Sequence, residues 1–271
     1  MSSSASGGGG GGSVPPPQNA PVATEPNRLL PASRLRNSYY ALRHGRSLAN
    51  VGGIISSDPE IATVTHGLSE EGWDQARAAG DRIALEFISA SSSSSSSSAG
   101  DGAPLKGVAI YSSDFTRARE TASCVADALR QRSTPLYRAE SDIDGNGVIL
   151  ETRLRERSFG DLSGGPDSRY GEVWDLDATD ADHEEMGVES VNSVLERTSG
   201  LILDIEREMG GGSTMSSTSQ PWMCVLVAHG DVLQIMQAGF RKMDGSLHRT
   251  LPHLDTATER EMKLFEISDS E

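Results

Sequence analysis

Three short segments concentrate the residue types that handle an anionic, transferable group. The first is Arg43-His44-Gly45-Arg46-Ser47-Leu48-Ala49-Asn50, the second Ser112-Ser113-Asp114-Phe115-Thr116-Arg117-Ala118-Arg119, and the third His229-Gly230-Asp231. Between the second and third lies Leu154-Arg155-Glu156-Arg157-Ser158-Phe159-Gly160. The chemistry such a set supports is phosphoryl transfer. Arginine offers planar, bidentate donors to phosphate oxygens. A neutral imidazole can attack phosphorus and hold it covalently, and a second can stabilise charge on the equatorial oxygens. A carboxylic acid can protonate the leaving oxygen and then activate water. No Cys/His or paired-carboxylate spacing for a structural zinc or calcium site is present, nor a P-loop lysine motif, so neither metal nor cofactor is expected.

These segments work together only if the fold brings them to one place. Tyr39–Leu42, Val108–Tyr111 and Val225–Ala228 are short apolar runs, and a closing strand is expected at Met262–Ile267. Helices are expected from Ser69, as cap, to about Phe87, over Phe115–Arg130, over Ser190–Met209, where Val191, Val194, Leu195, Leu201, Ile202 and Ile205 share one side, and over Val232–Gly239. Apolar strands alternating with helices imply a three-layer α/β/α domain around a mostly parallel sheet. In such sheets chemistry sits at the carboxyl ends of the strands, where the three segments fall.

Around this pattern the chain is low in complexity. Residues 1–37, with an uninterrupted glycine run at Gly7–Gly12, are expected to form a disordered tail, leaving 38–271 as the domain. Flexible insertions are expected at about 89–104, with eight serines at Ser91–Ser98, and at 210–220. The formal charge of −15 argues against a general nucleic-acid binder. Apolar runs are too short to span a membrane. Cys124 and Cys224, the two cysteines, read as small buried hydrophobes in a reducing compartment. A cytoplasmic location follows, with organelle import as the lesser reading because the N-terminus is Ser-rich and acid-poor. The acidic stretch Glu172–Glu185 is expected to be solvated, with a lid or docking strip as the alternative and Trp174 and Met186 as its anchors.

Taken together, these segments resemble the histidine phosphatase superfamily, the phosphoglycerate mutase-like family, over Ser38–Ile267. Leu42–Asn50 matches its Arg-His-Gly-x-Ser-x-x-Asn signature. Leu68, Ser69, Gly72, Gln75 and Ala76 are similar to its first helix start, and Arg117, Ala118, Thr121 and Ala122 to its Ser-Ser-x-x-x-Arg-Ala-x-x-Thr-Ala segment. Leu154–Gly160, Gly187–Ser190 and Ala228–Gly230 supply the remaining motifs, and the His229–Gln234 form is similar to a eukaryotic branch described only as phosphoglycerate-mutase-like. The resemblance implies that His44 is the nucleophile, that Arg43, Asn50, Arg117 and His229 bind phosphate, and that Glu156 exchanges the proton. It implies a substrate contact at Ser57. Arg46, Arg119, Arg155 and Arg157 are expected to be surface or supporting charges. The expected activity is metal-independent hydrolysis of phosphomonoesters on a small molecule or a phosphoprotein, with a phosphoglycerate-type mutase or a non-catalytic phosphate-binding scaffold as alternatives. The stretch between Glu156 and His229 is short and lacks lysine, which favours water as the acceptor. Substrate identity and oligomeric state are not encoded in these motifs.

Overall fold

A computed structural model describes residues 25–92, 103–138, 146–210 and 220–265. The strands β1 (Ser38–Arg43), β2 (Val108–Ser112), β3 (Val148–Leu150), β4 (Met223–Ala228) and β5 (Glu259–Met262) form one sheet in the order β3-β2-β4-β1-β5. Only β5 runs antiparallel, with Tyr39 opposite Met262 and Leu42 opposite Glu259. Strands β2 and β4 are buried at every position, as parallel strands covered on both faces must be.

The cover follows from the pleat. Tyr40, Leu42, Val108, Ile110, Val225 and Val227 point to one face and pack on α3 (Glu70–Ser92) and α4 (Thr116–Gln131). Tyr39, Ala41, Ala109, Tyr111, Cys224 and Leu226 point to the other and pack on α6 (Val191–Met209) and α7 (Gly230–Phe240). Two short helices, α1 (Leu48–Gly52) and α2 (Pro59–Ala62), follow β1, and α5 (Tyr170–Asp177) lies between short 3-10 turns at Asp167–Arg169 and Glu185–Gly187. Both cysteines are buried and free. No described helix is long and apolar enough to cross a membrane.

Three expectations need correction. The closing strand is Glu259–Met262, ahead of the apolar stretch expected to form it, because an edge strand buries little: only Met262 of its residues is buried. Strand β3 was not foreseen, since its three residues are too few to show a period. The tail expected over 1–37 ends too late: Asn27 and Leu29 are buried, and Asn27 Nδ2 donates to the Gly239 carbonyl at the end of α7. The expected insertion at 89–104 begins inside α3, which continues through Ser92; residues 93–102 and 211–219, like 1–24, lie outside the described residues.

Candidate active site

The sheet delivers the three expected segments to adjacent strand ends. One further ladder bond locks each turn, from His44 N to the Ala228 carbonyl at 3.0 Å and from Ser113 N to the Val227 carbonyl at 2.9 Å. The His44 turn passes so close to the start of α3 that a Cβ on Gly45 would lie 2.5 Å from the Gly72 carbonyl oxygen, and one on Gly72 would lie 2.0 Å from that of Arg46. Both glycines of the expected pattern are therefore demanded by backbone approach. Ser69 Oγ accepts from Gly72 N and so caps α3, as its position implied.

His44 is buried, and its two ring nitrogens have different partners. Nδ1 faces the Gly45 carbonyl at 2.7 Å, an acceptor, so Nδ1 carries the proton. Nε2 then presents its lone pair, and the Arg117 Nε donates to it at 3.1 Å. Burial, then Arg117 and Arg43, hold the imidazole pKa well below its usual range. The ring of His229 stands 5.1 Å from that of His44, propped by the edge of Phe115, with Nε2 on Ser113 Oγ at 2.9 Å and a buried Nδ1 without a partner. Burial and the same arginines keep it neutral too.

Arg117 is 3% exposed, its other nitrogens held by Ser56 through Oγ and the carbonyl. Burial lowers its pKa to about 10, which leaves it charged at neutral pH. Arg43 is partly buried, with an unpartnered Nε. Glu156 acts electrostatically on both arginines. Its carboxyl accepts from Arg157 N at 3.1 Å, and desolvation, then the charge of Asp231, raise its pKa to about 7.

His44, Arg43, Arg117, His229 and Glu156 are thus brought together. Asn50 is not in the buried set: it is exposed, and its Oδ1 accepts from Ser47 N and Oγ to close a capping box on α1. Ser57 is buried with its Oγ accepting from Phe159 N, so it fixes the turn after Glu156, while its neighbour Ser56 is the one that holds Arg117. Arg46, Arg119 and Arg155 are outlying, bonded to Glu71, the Thr63 carbonyl and Asp114.

Of the two roles expected for Arg157, surface or supporting charge, the structure shows the second. Arg157 is fully buried, paired through both terminal nitrogens with Asp177 of α5 at 2.7 Å, and 3.4 Å from Asp231. His183 Nε2 also meets Asp177, at 2.7 Å, and His248 completes the buried group. Most of the acidic stretch is exposed as expected, but Asp177 is not. Trp174 does anchor it: its ring stacks on Tyr170 at 5.3 Å and the Arg249 guanidinium lies 3.7 Å from its centre. Tyr170 packs edge-on against Phe159. No sequence motif marked Tyr170, Arg249 or His253, whose sole signal was side-chain type.

Among the described residues no three His, Cys, Asp or Glu side chains are grouped as a metal site. A comparison with curated proteins finds no match. Among solved structures, a mycobacterial hydrolase is 25% identical, with 82% of this chain and 87% of that one covered and a TM-score of 0.56. A mycobacterial glucosyl-3-phosphoglycerate phosphatase complexed with VO3 is 24% identical, with 82% and 89% covered and a TM-score of 0.57. A phosphoserine phosphatase mutant from Entamoeba histolytica, complexed with phosphoserine, is 17% identical, with 82% and 88% covered and a TM-score of 0.54. The fold is shared with all three. Residues 101–265, more than half of the chain, match the sequence model of the histidine phosphatase superfamily (branch 1). That span contains Arg117, Glu156 and His229, and the pairing of β1 with β4 sets the Arg43-His44 turn beside them, so that sequence and fold agree: this chain is a member of the histidine phosphatase superfamily, branch 1.

Proposed function

We propose that this protein hydrolyses phosphomonoesters without a metal, through a phosphohistidine on His44. The observation that carries this reading is the single tautomer of His44, set by the Gly45 carbonyl on one nitrogen and Arg117 on the other. An incoming phosphoryl group takes the place of that Arg117 contact and meets a lone pair, with both arginines available to its oxygens. Nε2 forms the bond to phosphorus while the ester oxygen leaves, and Glu156 transfers its proton to that oxygen. The resulting Glu156 carboxylate then takes a proton from water. The water oxygen attacks phosphorus, the P–N bond breaks, and neutral His44 and inorganic phosphate result. A pKa of about 7 lets Glu156 serve in both directions at neutral pH.

The structures similar to this chain include phosphatases described as acting on glucosyl-3-phosphoglycerate and bound to phosphoserine, and the lysine-free stretch from Glu156 to His229 favours water over a second phosphate acceptor. A small phosphomonoester or a phosphorylated protein side chain is the proposed substrate, and a cytoplasmic site of action is part of the same reading. The test is hydrolysis of an aryl phosphate in EDTA, with an alkaline denaturing quench that traps an alkali-stable, acid-labile phosphoenzyme. Wild type should turn over and carry label on histidine; His44→Ala should do neither, while His229→Ala should turn over slowly and still trap label. Turnover only after addition of a divalent metal, or label on His229, overturns the assignment.

A further inference from the structure

Arg43 is held from outside the pocket. Its Nη1 donates to His253 Nε2 at 2.7 Å and to the Leu254 carbonyl at 2.8 Å. A guanidinium has no lone pair to offer, so Nε2 must be the acceptor, which makes the imidazole neutral with its proton on Nδ1. The two bonds use both hydrogens of Nη1. Nε is buried without a partner, and Nη2 forms no hydrogen bond among the described residues. The edge left over is the Nε–Nη2 fork, whose two parallel donors span two oxygens of one phosphate. Gly230, immediately after His229, makes the packing possible: a Cβ there would stand 2.9 Å from His253 Cε1 and 3.3 Å from Arg43 Cζ.

We infer that His253 is a positioning residue of this site, whose neutral ring clamps Arg43 Nη1 so that the Nε–Nη2 edge is turned to the phosphoryl oxygens. The inference rests on the phosphate-pocket reading above. Protonation of the ring removes the acceptor and sets a second cation against Arg43, so the grip on phosphate should loosen in acid. The charged groups facing the ring come from four elements: Arg43 at the end of β1, Arg249 in the 3-10 turn Gly245–Thr250, Asp231 in α7, and Asp255 in its own loop. Burial and the two arginines hold its pKa below the usual imidazole value, against the pull of the two carboxylates. Arg260 fixes the loop by donating to the His253 carbonyl at 3.3 Å.

The experiment is calorimetric titration of the full-length protein with inorganic phosphate, which needs no turnover. At pH 7.5, His253→Ala should bind about tenfold more weakly, the order expected for losing a hydrogen bond to a charged group. His253→Gln, which keeps an acceptor but cannot titrate, should bind like wild type at pH 7.5. Toward pH 5 its affinity relative to wild type should rise; the ratio cancels protonation of phosphate itself. In an Arg43→Ala background, His253→Ala should add no further loss. Unchanged binding by His253→Ala, additive losses in the double variant, or a flat Gln-to-wild-type ratio overturns the proposal; should His253→Ala not fold, the Gln ratio decides. A wild-type protein that binds phosphate but never forms phosphohistidine counts against the hydrolytic reading and leaves the His253 assignment standing.

Discussion

A carboxyl group that must deliver a proton near neutral pH cannot be an ordinary carboxyl group. Glu156 is moved from 4.5 to about 7 by loss of water and by Asp231, against the opposing pull of Arg117 and Arg43. Three consequences can be measured on Glu156→Gln. Alkyl phosphates, whose leaving oxygen needs the proton, should lose on the order of 10²–10⁴-fold in turnover, and activated aryl esters much less. An equal loss at every leaving-group pKa would reduce Glu156 to an orienting role. The wild-type kcat/KM should fall as pH rises through about 7, where the acid form is lost, and that limb should vanish in the variant. Stability should follow the same titration. A folded-state pKa above the unfolded value favours the native state most below 4.5, and that gain is lost as pH rises to about 7. The variant cannot titrate, so its melting temperature relative to wild type should climb across that window and level off above it. A constant gap would mean that Glu156 is not shifted.

At the scale of elements, α5 is fastened by a buried ion pair as well as by the apolar packing of Val173 and Tyr170 on Phe159 and its neighbours. Asp177 and Arg157 are both fully buried and share two contacts at 2.7 Å. Removing Asp177 leaves buried Arg157 with only the longer Asp231 contact at 3.4 Å, so Asp177→Ala should cost about 3–5 kcal/mol in urea unfolding. A loss under about 1 kcal/mol, the range of exposed pairs, would mean that water reaches Arg157. This pair also marks where the sequence stopped being readable. The turns holding His44, Arg117 and His229 were legible because strand ends follow from apolar runs, and Gly45 and Gly72 from signature spacing. Arg157 and Asp177 were not, because a buried salt bridge looks the same in sequence as two surface charges; only the contact across 20 positions distinguishes them. Asn50 and Ser57 show the converse: the family resemblance singles them out as ligand contacts, but their side-chain oxygens accept hydrogen bonds in a helix cap and a turn. Periodicity found the long helices to within a few residues, whereas β3 and β5 bury too little to leave a pattern.

Across the whole molecule, composition and packing part company within residues 25–37. The stretch 1–37 reads as one polar, Pro/Gly-rich tail, yet within it Asn27 binds the Gly239 carbonyl, Arg28 N binds Ser199 Oγ at 3.0 Å, and Leu29 is 1% exposed in the core between α6 and α7. One apolar side chain is too weak a signal to stand out against its neighbours, but its burial contributes about 1.5–3 kcal/mol, and each hydrogen bond about 1 kcal/mol. Two truncations test where the tail expected from composition gives way to the domain. Removing residues 1–24 should leave the melting temperature unchanged. Removing 1–36 should lower it on the order of 7–20 °C, given roughly 2–4 °C per kcal/mol for a domain of this size. Turnover at 25 °C should survive in both. The segment docks at the Gly239 end of α7, while His229 and Gly230 stand at the other, roughly 15 Å away along an 11-residue helix. If both truncations melt alike, Leu29 contributes nothing to the fold. If turnover falls together with stability, the two ends of α7 are coupled and the site depends on the segment's docking.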